Sequence, residues 1–106
     1  MSHTIAIVGA GPAGAMLACK LASNGKRVHL YDHRAPWEKP CGGMLSAGTV
    51  AANPELKRYP YPVGRCRSMV HISPANDRLC LPAEKPNHVV SRIELNRFLL
   101  ELALKS

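Results

Sequence analysis

The residues whose types and spacing could do chemistry begin at Gly9. Gly9-Ala10-Gly11-Pro12-Ala13-Gly14 has the form G-x-G-x-x-G, a pattern that acquires meaning when it leaves a strand and opens a helix. Gly9 then permits the tight turn, Gly11 lets the backbone approach a pyrophosphate, and Gly14 lets the helix pack closely against its strands. Pro12 suits the first helical position. The N–H groups around Ala13, helped by the helix dipole, would hold phosphate charge. Asp32 follows at the distance expected of a carboxylate that accepts hydrogen bonds from ribose hydroxyls, and its charge opposes a 2′-phosphate. His33, next along, is a candidate contact for adenosine, and Arg34 reads as a solvated charge, with a phosphate ligand as the alternative.

Other reactive side chains are more isolated. Cys41 has no base close in sequence to activate it, so a working thiol and an inert loop cysteine stay open as readings. The four cysteines, at 19, 41, 66 and 80, have neither metal-ligand spacing nor the density of a disulfide scaffold. They point to a reducing, cytoplasmic setting. His3, His29, His33, His71 and His88 are scattered, and no metal site is expected.

The elements that must position these residues are legible in outline. Thr4–Val8 is a short apolar strand, Pro12–Asn24 a helix with Gly25 as its cap, and Arg27–Tyr31 a second strand ending at Asp32. From His33 onward, prolines and glycines predict irregular chain until a short helix over Ser46–Ala52, then a loop over 53–65. Cys66–Ser73 and Arg78–Leu81 read as a hairpin around Pro74-Ala75-Asn76-Asp77, with a further strand at His88–Ser91. Ser91 and Glu94 have capping-box spacing. The helix behind them carries Leu95, Phe98, Leu99, Leu102 and Ala103 on one stripe that belongs in a core. The fold class is α/β, with a Rossmann-like β-α-β unit over 1–34, a loop segment over 35–65, and strands plus a helix over 66–106 that begin an antiparallel sheet.

Composition bounds the function. The 106 residues carry a formal charge of +7, with 46% hydrophobic and 20% charged residues, which excludes wholesale disorder. Only 5% are aromatic, against a base-stacking nucleic-acid reader, so no nucleic-acid partner is expected. The uncharged run over residues 5–19 imitates a leader, but its glycines fit the strand-turn-helix reading and it is too short to span a bilayer. Lys57, Arg58, Arg65, Arg67 and Arg78 concentrate positive charge over 57–78. A solvated face, a patch for an acidic substrate such as a diphosphate, and contact with an anionic membrane surface are the competing readings.

With these residues in view, TIAIVGAGPAGAMLACKLASNGKRVHLYDHR resembles the N-terminal FAD-binding unit of flavin-dependent oxidoreductases with the glutathione-reductase-type nucleotide fold. That resemblance implies FAD rather than NAD; the family usually has Glu where Asp32 stands. Lys39-Pro40-Cys41-Gly42-Gly43-Met44 resembles the K-P-C-G-G segment of geranylgeranyl reductase-like flavoproteins, a branch of the group that includes aromatic-ring hydroxylases. It implies that Cys41, Gly42 and Gly43 form a loop beside the flavin and the substrate. Ser91-Arg92-Ile93-Glu94-Leu95-Asn96 resembles the family's R-x-x-L-D segment, which implies that Arg92 reaches the FAD phosphates or ribose; Asn96 departs from the usual Asp.

The same resemblance implies reduction of isoprenoid or similar lipid double bonds by reduced flavin, with electrons from an external donor such as NAD(P)H or ferredoxin. A flavin monooxygenase of the aromatic hydroxylase type and a non-catalytic dinucleotide-binding module are the rival expectations. Relatives of this family continue for several hundred residues, so these residues are expected to be the N-terminal portion of such an enzyme and inactive alone.

Overall fold

The computed structural model describes His3–Ser106. It divides into two compact units, one of residues up to Cys41 together with Ser91–Ser106, the other Gly42–Val90.

The first unit is built on strand β1 (Thr4–Val8), helix α1 (Pro12–Ser23), strand β2 (Arg27–Tyr31) and helix α3 (Arg92–Lys105). β1 and β2 pair in parallel, Thr4 with Arg27 through Val8 with Tyr31. A parallel pair joined by a crossover helix is the expected outcome of apolar β-branched runs flanking an amphipathic stretch. α1 ends one residue earlier than its periodicity predicts. Asn24 caps it, and Gly25 adopts φ 77°, a left-handed turn that glycine takes without penalty. Small residues on α1 (Ala15, Ala18, Cys19) are buried, as are Leu95, Phe98 and Leu99 on α3, and Ile7 of β1 joins them. The small residues let the helices approach closely while the large ones fill the space.

The second unit contains strand β3 (Met44–Leu45), helix α2 (Ala47–Ala52), strand β4 (Gly64–Ile72) and strand β5 (Arg78–Val89). The strands form an antiparallel sheet in the order β3-β5-β4. The short helix is present, with Ser46 as its N-cap accepting from the Thr49 N–H. Three expectations are corrected. The chain before Ser46 is not wholly irregular, because Met44 and Leu45 form β3 and pair with Val89 and His88. Residues 53–65 are not all loop, because Pro54–Arg58 forms a 3-10 turn that buries Leu56 and β4 already begins at Gly64. The strand expected at Arg78–Leu81 and the His88–Val89 half of the one expected at His88–Ser91 are parts of one extended stretch, β5, while Val90 lies beyond it and Ser91 caps α3. Its pairing with β4 nevertheless breaks where Cys66 opposes Asn87 and Ser68 opposes Pro82. Pro86 lies in the unpaired part, where its missing N–H costs no ladder bond. The hairpin turn is as expected: Asn76 takes φ 66°, and Ser73 Oγ accepts from the Asp77 N–H at 3.0 Å.

Candidate functional site

The glycine turn owes its shape to oriented peptide planes. The Gly9 N–H donates to the Tyr31 carbonyl at 2.8 Å, tying the turn to the end of β2. Gly9 itself has φ 101°, a conformation that side chains rarely adopt. The Ala10 N–H donates to Asp32 Oδ2 at 2.8 Å. In a trans peptide C=O and N–H point in opposite directions. Holding the Ala10 N–H at Asp32 therefore turns the Gly9 carbonyl the other way, toward α1. A Cβ on Gly14 would collide with that carbonyl oxygen, so the missing side chain at Gly14 is what admits the helix. A Cβ on Gly11 would meet nothing within 4 Å. The backbone there is open, as approach by a pyrophosphate requires.

α1 starts directly behind this opening, with Gly11 as N-cap and Pro12 at its head. Helix starts leave N–H groups without intrahelical partners. Pro12 has none to give, so the donors at this mouth come from Gly11, Ala13 and Gly14.

Asp32 does more than the sequence suggests. Besides Ala10, it accepts from the Arg34 N–H at 2.8 Å and the Ala35 N–H at 2.9 Å through Oδ1. The Ala10 N–H, then those of Arg34 and Ala35, hold the carboxyl below its ordinary value against the opposing effect of desolvation, with the smallest contribution from the charge of His33. The group is exposed, and a carboxylate has about four acceptor positions. Capacity for ribose hydroxyls therefore remains. His33 is exposed beside it. Arg34 is exposed as well, and its guanidinium lies 3.7 Å above the Trp37 ring centroid. Asp32 and Ala10 also border an open hollow of about 720 Å3, largely lined by β2 and α3 side chains such as Val28, Leu30 and Leu100. Gly11, Ala13 and Gly14 do not border it, so the hollow and the phosphate mouth are different places.

Arg92 opens α3, and the structure brings it to Cys41: Nη1 donates to Sγ at 3.2 Å. Arg92 Nε is buried and has no hydrogen-bond partner. A buried orphan donor calls for an acceptor, and a dinucleotide phosphate or ribose oxygen is of the right chemistry. The residues present thus fit a dinucleotide, with an open backbone at Gly11, free helix-start donors, an acid at the end of β2 and an orphan guanidinium N–H.

Gly42 and Gly43 belong to the second unit. Gly43 is buried at φ 73°, and a Cβ there would strike the Val90 carbonyl, while its own carbonyl accepts from the Val90 N–H at 2.9 Å. That packing by itself demands glycine. Gly42 has open space around it. The cations Lys57, Arg58, Arg65, Arg67 and Arg78 are exposed. Among the described residues there is no cluster of three or more His, Cys, Asp or Glu side chains that could hold a metal, and no helix is long and apolar enough to cross a membrane.

Asn96 stood out in the sequence only as a departure from the usual Asp, and its partner was not legible there. Asn96 is 2% exposed, and its Nδ2 donates to the Ala10 carbonyl at 2.8 Å. The available signal was an amide next to Leu95 and two residues before Phe98, on the side of the helix that carries the apolar stripe, since a buried polar side chain needs a partner.

A parallel β-α-β unit with a glycine turn at the helix start and an acid closing the second strand defines a Rossmann-type dinucleotide-binding fold. Residues 7–64 match the family model of the NAD(P)-binding Rossmann-like domain, and the chain belongs to that family. Over 51 residues it is 47% identical to a dialkyldecalin synthase of Streptomyces rugosporus, a stretch covering 47% of this chain and 11% of that protein. The fold is similar to that of a geranylgeranyl bacteriochlorophyll reductase-like protein of Thermoplasma acidophilum, with TM-score 0.77 and 21% identity, over 99% of this chain and 29% of the other. It is also similar to a flavin-dependent halogenase, with TM-score 0.72 and 24% identity, over 99% of this chain and 21% of the other. The chain therefore spans less than a third of the length of each of these proteins.

Proposed function

We propose that the first unit holds the ADP half of FAD and forms the cofactor-binding part of a flavin-dependent oxidoreductase. The pyrophosphate would lie at Gly11, Pro12, Ala13 and Gly14, the adenosine ribose at Asp32 with His33 nearby, and Arg92 would supply its Nε–H to a phosphate or ribose oxygen. The observation that carries this reading is the glycine turn, open at Gly11 and hydrogen-bonded through Ala10 to Asp32. FAD, when bound, supplies the hydride chemistry, and the protein supplies position and electrostatics. The fold is shared with a flavin-dependent halogenase, which supports FAD over NAD.

The finer reading is reduction of a carbon–carbon double bond in an isoprenoid or similar lipid, with electrons from an external donor such as NAD(P)H or ferredoxin. Its support is the K-P-C-G-G segment, the R-x-x-L segment, and the fold shared with a geranylgeranyl reductase-like protein. Cys41, hydrogen-bonded by Arg92, would stand beside flavin and substrate without having to act as a nucleophile. The exposed cations over 57–78 would face an acidic substrate or an anionic membrane surface. A second reading is favoured by the 47% identity to a dialkyldecalin synthase: the same nucleotide unit would then serve a ring-forming enzyme.

Calorimetric titration of the 106-residue chain with ADP, FAD and 2′-phospho-ADP-ribose tests the core of the proposal. ADP and FAD should bind, and the 2′-phosphate should weaken binding at least about tenfold through repulsion by Asp32. Absence of ADP and FAD binding, or a preference for the 2′-phosphate, overturns it.

A further inference from the structure

Asn96 is buried inside the first unit and spends its amide on a single backbone oxygen, that of Ala10, contributed by a loop far away in sequence. Ala10 is thereby held at both ends, its N–H by Asp32 and its carbonyl by Asn96. The second contact fixes a second peptide plane. The Ala10 carbonyl and the Gly11 N–H belong to one trans peptide and point in opposite directions. With the carbonyl drawn inward to Asn96, the Gly11 N–H points the opposite way, and a Cβ added at Gly11 would meet nothing within 4 Å.

We propose that Asn96 is a positioning residue for the dinucleotide: it locks the Ala10–Gly11 peptide so that the Gly11 N–H, not the Ala10 carbonyl, faces the pyrophosphate. The proposal rests on the dinucleotide reading of the glycine turn. If the peptide turned over, a carbonyl dipole would confront the phosphates, and an anion would be repelled where it is now attracted. The lock requires a donor. An ionised carboxylate in the same place accepts only, and it would set negative charge against the Ala10 carbonyl. In this chain the donor is an amide; the Asp usual in the resembled family could fill the same place only by carrying a proton to donate.

The ionisable groups around this peptide are Asp32, on its N–H side, and Lys26, Arg97 and Glu101, which line the hollow onto which Ala10 opens; Arg92 lies one turn earlier on α3. The test compares the full chain with Asn96→Asp and Asn96→Leu, by ADP titration between pH 5 and pH 8 and by thermal melting of each variant. Asn96→Asp should bind ADP about tenfold more weakly than the parent at neutral pH, the usual effect of losing one hydrogen bond and leaving a buried group unpaired. The deficit relative to the parent should shrink on acidification, as the carboxyl gains a proton to donate. Asn96→Leu should show the deficit at every pH. A purely structural role would lower melting temperatures without this pH-dependent recovery.

A measurement on the unmodified chain stands even if both variants fail to fold. In amide NMR the Gly11 N–H resonance should shift on ADP binding well beyond that of Ala10, whose N–H is already taken by Asp32. If ADP saturates the chain and the Gly11 amide does not move, or if folded Asn96→Asp binds as well as the parent at neutral pH, the positioning role is wrong. If the unmodified chain binds neither ADP nor FAD, the dinucleotide reading has failed first, and the two failures are told apart.

Discussion

At the scale of single residues, Asp32 joins two tasks: it shapes the turn through the Ala10, Arg34 and Ala35 N–H groups, and it keeps acceptor capacity toward solvent. The same contacts make the fold sensitive to acid. Its carboxyl is held below the ordinary value, chiefly by the Ala10 N–H. The folded state therefore binds this proton less readily than the unfolded chain does. The stabilisation is present above the unfolded carboxylate range and is lost as pH falls through the lower folded value. Asp32→Asn should flatten this part of the acid denaturation curve. It should also melt earlier than the parent at neutral pH, because the amide turns a donor toward N–H groups that need acceptors. Melting temperature against pH for both proteins checks it; an Asp32→Asn curve parallel to the parent's would refute it.

At the scale of elements, the start of α3 shows how far the sequence reaches. The S-x-x-E spacing marked Ser91 as the cap, and Ser91 Oγ does accept from the Glu94 N–H, at 3.4 Å. The Ile93 N–H, however, is taken by Glu38 Oε2 at 3.3 Å, a carboxylate from the loop after β2 that no local pattern reveals. Negative charge at a helix start is favourable in its own right. Because Glu38 shares the capping, Ser91→Ala should cost only about 0.5–1 kcal/mol, the lower part of the range for a lost N-cap. Removing Glu38 as well should cost more than either change alone implies, since neighbours that back each other up are not additive. Denaturant midpoints of the two single variants and the double variant decide this, and strict additivity would count against shared capping.

The same contrast runs through the chain. The turn, α1, β2 and the apolar stripe of α3 were legible because each depends on nearby residues: glycines at fixed offsets, a proline at a helix start, apolar spacing. The 3-10 turn at Pro54–Arg58 was hidden because Pro54 reads equally well as loop. The Asn96–Ala10 and Arg92–Cys41 contacts were hidden because they are decided by which helix lands on which loop.

At the scale of the whole molecule, the four cysteines form a built-in reporter set, none of them in a disulfide. Cys41 and Cys80 are exposed, Cys66 is partly covered, and Cys19 is buried among the α1 residues of the first unit. A thiol reagent should label Cys41 and Cys80 at once and Cys66 more slowly, while Cys19 waits for the first unit to open. A ligand that binds only the closed form lowers the open population in proportion to its saturation. At a hundred times its dissociation constant ADP should slow Cys19 labelling about a hundredfold. Cys80, accessible without any opening, should react at an unchanged rate and serves as the internal control. Mass spectrometry of each labelled peptide reads the sites separately. Protection of Cys19 alone places the nucleotide on the β1-α1-β2 unit. Equal slowing of Cys80 would mean that ADP acts on the reagent or on the chain at large, and no slowing of Cys19 at saturating ADP would mean that the nucleotide does not stabilise the element its glycine turn opens.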